Sequence, residues 1–93
     1  MQAATPVLVD VRSPAEFASG HVDGALNLPL DRFVAEAFEL LPNKDADIVL
    51  YCVSGARSDM ACRWLQQQGY TQACNGFTVT NVAEQTGRDI RRL

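Results

Sequence analysis

The run Ile48-Val49-Leu50-Tyr51, followed at once by Cys52-Val53-Ser54-Gly55-Ala56-Arg57-Ser58, constrains the fold more than any other stretch of the chain. An unbroken apolar run of this length suits a strand covered on both faces of a sheet. After it, Ser58, Ala61, Cys62 and Leu65 recur at i, i+3, i+4 and i+7, which gives one buried face of an amphipathic helix. Buried strand, tight loop and helix together predict an open, parallel α/β sheet. In such sheets the loop lies at the carboxyl end of the strand, where ligands bind, and the first helical amides are free to meet an anion.

Cys52 is therefore the candidate nucleophile. A thiol reacts as its thiolate, and a helix amino terminus with a cation alongside lowers its pKa from about 8.5 toward neutrality. Arg57 can supply the cation. Gly55 reaches positive φ and leaves no side chain in the loop, so the amides from Val53 through Ser54, Gly55, Ala56 and Arg57 to Ser58 are expected to turn inward as an anion nest.

The Cys52–Arg57 spacing is Cys-x4-Arg, one residue shorter than the Cys-x5-Arg loop with which cysteine phosphatases and arsenate reductases cradle a tetrahedral oxyanion. This loop resembles that of the rhodanese (thiosulfate sulfurtransferase) family, in which six residues surround the single extra sulfur of a cysteine persulfide. Further blocks carry the resemblance: Leu8-Val9-Asp10-Val11-Arg12; Glu16-Phe17-Ala18-Ser19-Gly20-His21-Val22-Asp23-Gly24-Ala25-Leu26-Asn27-Leu28-Pro29; and Arg57-Ser58 with Ala61, Leu65 and Gly69. Together they extend over residues 7–77. Two departures stand out: the chain begins almost at the Asp-x-Arg block, and Gly76-Phe77 lacks the tryptophan of the family's closing segment. In that abbreviation it is similar to the small phage-shock-type sulfurtransferases, which are exported after signal cleavage. Location is therefore expected to be cytoplasmic from the chain as given, or periplasmic if a signal peptide has been removed.

Ninety-three residues bound the chain to one domain, residues 1–93, with a modest core. The composition is 47% apolar and 20% charged, and no apolar run approaches the ~18 residues of a membrane span. A net charge of −3 argues against a nucleic-acid partner. Cys52, Cys62 and Cys74 form no CxxC and have no histidine cluster, so no metal site is read.

Along the chain, Val7-Leu8-Val9 reads as a strand, and Ser13-Pro14-Ala15-Glu16 as a capping box opening a short helix. The resemblance gives Asp10 and Arg12 an architectural role, tying loops near the active-site face, and gives His21 a structural hydrogen-bonding one. Ala25-Leu26-Asn27-Leu28 is a strand stopped by Pro29. Asp31 is expected to cap a helix whose buried face is Leu30, Val34, Ala37, Phe38 and Leu41. Phe33 and Phe38 are assigned to the core. Pro42-Asn43-Lys44-Asp45 ends that helix, and Gly69 is the expected C-cap of the next. Asn75-Gly76 reads as a turn, Trp64 as a partly exposed cover for the sheet edge, and Arg88-Asp89-Ile90-Arg91-Arg92 as a solvated helical end.

The fold expected is a single rhodanese-like α/β domain with a mostly parallel sheet and helices on both faces. The resemblance implies movement of sulfane sulfur from thiosulfate or a persulfide donor, through a Cys52 persulfide, to cyanide or a biological thiol. Val53, Ser54, Gly55, Ala56, Arg57 and Ser58 would bind the substrate, with no metal and no cofactor. Partners are a small anionic donor, a thiophilic acceptor and a possible acceptor protein, with neither nucleic acid nor membrane. The alternative is a relay or binding module that accepts sulfur only from a partner protein.

Overall fold

The computed structural model describes residues 6–93. Its centre is a four-stranded, wholly parallel sheet in the order β3-β1-β4-β5: β3 is Leu26–Asn27, β1 Val7–Asp10, β4 Ile48–Cys52 and β5 Ala73–Thr78. Three helices serve the crossovers, α1 (Pro14–Ser19), α2 (Leu30–Leu40) and α3 (Ala56–Gln67). A fourth, α4 (Val79–Thr86), follows β5. The first Met-Gln-Ala-Ala stretch of the sequence lies outside the described residues.

Side chains alternate across the sheet, so each strand feeds two cores. Val9, Ile48, Leu50 and Cys52 point to the side covered by α2 and α3, where they meet Phe33, Ala37, Ala61, Cys62 and Leu65. Leu8 and Tyr51 point to the other side, against Val22 and, from α4, Val82. Both faces are covered, which is why the Ile48–Tyr51 run shows no polar alternation.

The capping box forms as read: Ser13 Oγ accepts from Glu16 N at 3.2 Å and Glu16 Oε1 accepts from Ser13 N at 2.9 Å. Asp10 and Arg12 are an architectural pair. Arg12 Nη2 lies 2.6 Å from Asp10 Oδ2 and donates to Gly20 O at 2.6 Å, tying the exit of β1 to the end of α1. His21 is structural too, its Nδ1 2.8 Å from Phe17 O and its ring stacked on Phe17. Gly69, at φ +98, follows the α3 cap Gln68; its N–H reaches Gln66 O, and Tyr70 N reaches Leu65 O. These are the two bonds of a Schellman motif.

Several expectations are corrected. Helix α2 starts at Leu30 with Pro29 as its cap residue, so Asp31 lies inside the first turn and caps nothing. Its buried face is rotated from the one read: Phe33, Ala37 and Leu41 are buried, whereas Val34 and Phe38 are exposed. The helix packs beside α3, and Phe33 and Phe38 flank Trp64 there at ring separations of 5.9 and 5.5 Å. Trp64 thus joins two helices instead of covering a sheet edge.

Asn75-Gly76 is not a turn but the middle of β5. Asn75 pairs with Leu50 and Phe77 with Tyr51, which leaves Gly76 as the extra residue of a bulge. A Cβ on Gly76 would come within 2.6 Å of Val49 Cγ1 and 2.5 Å of Val82 Cγ2, so glycine is what lets α4 close on the sheet. The tail is not a helical end either: β6 (Ile90–Arg91) pairs antiparallel with β2 (His21–Val22). A two-residue strand carries too little periodicity to be read from sequence.

Candidate active site

The carboxyl ends of the strands meet on one edge of the sheet, where Asp10 pairs with Asn27 and Tyr51, and Cys52 with Thr78. Cys52 closes β4 and is wholly buried. The chain turns through Val53, Ser54 and Gly55 and enters α3 at Ala56. Gly55 makes the turn. At φ +97 and ψ −8 it is left-handed, and its N–H points back at Cys52 Sγ from 3.0 Å. A Cβ there would lie 2.7 Å from Phe77 Cδ1, so both the backbone and the space call for glycine.

Of the loop residues singled out in the sequence, Gly55 and Ser58 are buried beside the sulfur, Arg57 is half-buried, and Val53, Ser54 and Ala56 are exposed. Ser58, in the first turn of α3, holds its Oγ 3.5 Å from Cys52 Sγ. Burial pushes the thiol up. The Ser58 hydroxyl and the amides of Ser58, Gly55 and Ser54 favour its anion, and the balance brings it from the ordinary 9.0 down to about 7. The amide of Ala56 turns instead to Ser54 Oγ at 3.4 Å.

Arg57 does not stand free beside the thiol. Its Nη1 and Nη2 donate to the two carboxylate oxygens of Glu16, at 2.9 and 3.1 Å. This hydrogen-bonded pair, with the amide of Ser13 behind it, holds the Glu16 carboxyl at about 2. Glu16 therefore does two jobs, closing the capping box of α1 and answering the Arg57 charge. The thiolate is favoured by hydrogen bonds from its own loop more than by a neighbouring cation. A guanidinium has five N–H donors, so Arg57 keeps some for a ligand.

Beside Arg57 a hollow of about 380 Å³ opens between Val11, Ser13, Pro29, Leu30 and Asp31. A hollow of similar size lies at Pro6, Asp47 and Thr71, at the opposite end of β4 and away from the thiol. The rim of the loop is apolar, with Val53 and Phe77 each more than half exposed. Phe77 sits at φ +73, left-handed backbone that an aromatic residue rarely adopts.

Asn75 is the residue that sequence reasoning missed. Its Oδ1 lies 2.7 Å from Ser58 Oγ and accepts from Phe77 N at 2.9 Å, while its Nδ2 donates to Gly55 O at 3.0 Å. The dipeptide Asn-Gly signals a bulge as well as a turn, and choosing between them needs the partner strand. Among the described residues no three His, Cys, Asp or Glu side chains are grouped as a metal site.

The chain has counterparts among known proteins. Residues 1–76 match the rhodanese-like domain. The chain belongs to the rhodanese-like family. It is 48% identical over 69 residues to a sulfurtransferase of Allochromatium vinosum, covering 74% of this chain and 63% of that protein. It is 32% identical over 75 residues to the thiosulfate sulfurtransferase PspE of Escherichia coli, covering 81% of this chain and 72% of that one. Among solved structures, a rhodanese with anions from E. coli superposes with a TM-score of 0.79 at 30% identity, covering 85% of this chain and 93% of that one. The chain thus spans a little under two thirds of the A. vinosum relative. The abbreviated rhodanese-like blocks read from the sequence and the parallel α/β architecture agree with these matches.

Proposed function

We propose that this rhodanese-like chain is a sulfurtransferase that carries sulfane sulfur on Cys52. The observation that supports it most is the Cys52 sulfur itself, buried in a Cys-x4-Arg loop and held by the Gly55 amide at 3.0 Å. In the first step the Cys52 thiolate attacks the outer sulfur of thiosulfate. The S–S bond of the donor breaks, sulfite leaves with the bonding electrons, and Cys52 is left as a persulfide anion. In the second step cyanide or an acceptor thiolate attacks the outer sulfur and Cys52 returns as thiolate. This is covalent, ping-pong catalysis with no net redox change in the protein and no external base, because the attacking group is already ionised.

The roles of the loop follow from its geometry. The inward amides offset negative charge on the cysteine sulfur and then on the outer sulfur. Arg57, fixed by Glu16, presents its remaining N–H donors to an anionic donor. A phosphatase or arsenate reductase would need the longer Cys-x5-Arg loop. The test is the mass of the protein after thiosulfate treatment: one sulfur atom added, removed by cyanide, and neither change in Cys52→Ser. Cyanide-labile sulfur on that variant would refute the assignment.

A second reading, relay from a protein donor, is favoured by three features of the mouth. Cys52 is fully covered, Arg57 is neutralised by Glu16, and the rim residues Val53 and Phe77 are apolar and exposed. Turnover with thiosulfate and cyanide alone separates the two, since a dedicated relay gives only feeble rates. The acceptor this chemistry calls for is a thiol, on a protein or on a small molecule.

A further inference from the structure

The single hydroxyl proton of Ser58 has three acceptors in reach: Asn75 Oδ1 at 2.7 Å, Gly55 O at 3.2 Å and Cys52 Sγ at 3.5 Å. The orientation of the Asn75 amide is fixed independently of Ser58. Phe77 N can only donate and lies 2.9 Å from Oδ1, and Gly55 O can only accept and lies 3.0 Å from Nδ2. An acceptor atom therefore faces Ser58 at the shortest of its three distances. We propose that Asn75 is a positioning residue that competes with Cys52 for the Ser58 proton and thereby sets how readily the nucleophile ionises. The proposal rests on the reading of Cys52 as the sulfur-carrying thiolate.

The consequence is a rotor with two settings. With the neutral thiol, Cys52 S–H donates to Ser58 Oγ and Ser58 donates to Asn75 Oδ1. When the thiol proton leaves to water, the Ser58 hydroxyl turns to the sulfur anion, and Asn75 Oδ1 keeps only the Phe77 N–H. In the persulfide the charge moves to the outer sulfur, Sγ becomes neutral again, and Ser58 returns to Asn75. No proton passes to or from Asn75; one O–H bond rotates. Turning toward sulfur leaves two oxygen lone pairs facing each other across 2.7 Å, so Asn75 opposes ionisation.

The regular pairing of β5 with β4 makes this possible. It puts Asn75, just before the Gly76 bulge, in register with Leu50, whose side chain faces α3, so the amide is aimed at the cradle. The charged groups around Cys52 are otherwise paired off: Arg57 with Glu16 of α1, Arg12 with Asp10 at the end of β1, and Asp59 with Arg63 on α3. Arg32 pairs with Glu36 on α2, while Asp31 lines the hollow beside Arg57. Tyr51, the neighbour on β4, is pushed up by burial and stays neutral, and on β5 Cys74 lies level with Val49, well short of Cys52. On α4 the titratable residue is Glu84, on the far side of the sheet from Cys52.

The experiment is the pH dependence of Cys52 alkylation by iodoacetamide, followed by peptide mass in the wild type and in Asn75→Ala, Asn75→Asp, Ser58→Ala and Ser58→Ala/Asn75→Ala. Asn75→Ala frees the hydroxyl for the sulfur, so the midpoint should fall by about half to one pH unit, which is about three- to tenfold faster alkylation well below the midpoint. Asn75→Asp keeps an acceptor and adds charge, so its midpoint should rise. In the Ser58→Ala background there is no proton to compete for, and Asn75→Ala should then leave the midpoint where Ser58→Ala puts it. A raised or unchanged midpoint in Asn75→Ala overturns the proposal. So does a shift of equal size with and without Ser58, which would mean that the loop had merely moved. Should Asn75→Ala fail to fold, the sign of the Asn75→Asp shift decides: a fall or no change refutes the rotor. Alkylation does not require sulfur transfer, so failure of the functional reading would appear separately, as no cyanide-labile sulfur on Cys52.

Discussion

Replacing Gly55 by alanine puts a methyl group where the loop has neither the backbone freedom nor the room for one. Gly55 is at φ +97, and left-handed backbone costs an L-residue about 1–2 kcal/mol. Against this, alanine narrows the unfolded ensemble and returns about 0.4–1 kcal/mol, leaving a net backbone cost of about 1 kcal/mol. The new Cβ would also lie 2.7 Å from Phe77 Cδ1, with Phe77 Cα at 3.4 Å and Cβ at 3.5 Å. Overpacking costs about 1–3 kcal/mol, and the low end applies because the ring is 53% exposed and can swing outward. The total is about 2 kcal/mol, which at a urea m-value of about 1 kcal/mol/M moves the unfolding midpoint by about 2 M. Phe77→Gly removes the obstructing ring and the positive-φ aromatic together. In the double variant the clash disappears while the Gly55 backbone cost stays, giving a coupling of about 1 kcal/mol. Urea denaturation of the four proteins measures it. A Gly55→Ala midpoint within about 0.5 M of wild type, or strict additivity, would refute the reasoning.

Glu16→Gln preserves the capping box, since glutamine can serve there, but releases the Arg57 charge. The KM for thiosulfate should fall, by up to about fivefold for a half-exposed pair, and a rise would show that Glu16 matters by fixing Arg57 in place. The same variant tests the acid limb of stability. The folded Glu16 carboxyl sits at about 2 against an ordinary 4.5, so its contribution is present above the unfolded value and is lost as pH falls from about 4.5 to about 2. Urea midpoints of Glu16→Gln should therefore fall less steeply than wild type across that window. Inserting a glycine between Ser54 and Gly55 makes the loop Cys-x5-Arg; sulfur transfer should drop sharply, and an intact rate in a folded protein would remove loop size as the selector. Cys62→Ala should leave turnover nearly unchanged. Cys62 is buried on the apolar face of α3, its thiol is pushed up by burial, and it lies one helical turn, about 6 Å along the axis, beyond Ser58, the residue of α3 that reaches Cys52. A major Cys52–Cys62 crosslinked peptide after thiosulfate treatment would contradict this.

The parts of the fold that were legible in the sequence are those fixed over a few consecutive residues. The Ser13–Glu16 capping box, the buried run of β4, the Ser58, Ala61, Cys62 and Leu65 face of α3 and the Gly69 helix end are all local, and each forms as its residues dictate. The Cys-x4-Arg loop was legible for the same reason, because its length and its one glycine set its shape. The α2 stripe failed in an instructive way. Two apolar faces overlap on that helix, one through Phe33, Ala37 and Leu41 and one through Val34 and Phe38, and α3 with its Trp64 decides which is buried.

What only the tertiary structure decided are the contacts between residues far apart in the chain. Glu16 and Arg57 are 41 positions apart, and Ser58 and Asn75 are 17. Sequence order says that a carboxylate, a guanidinium, a hydroxyl and an amide exist, but not that the first neutralises the second or that the fourth holds the proton of the third. Pairing β5 with β4 aims Asn75 at the cradle, and an Asn-Gly dipeptide reads equally as turn or bulge until that pairing is made. The short β2–β6 ribbon is decided in the same way, because a strand of two residues has no period of its own and exists only where its partner arrives. The sequence alone thus determined which thiol is held and in how large a loop. The assembled sheet determined what surrounds that thiol, because charge neutralisation and proton placement depend on distances that only the packed chain sets.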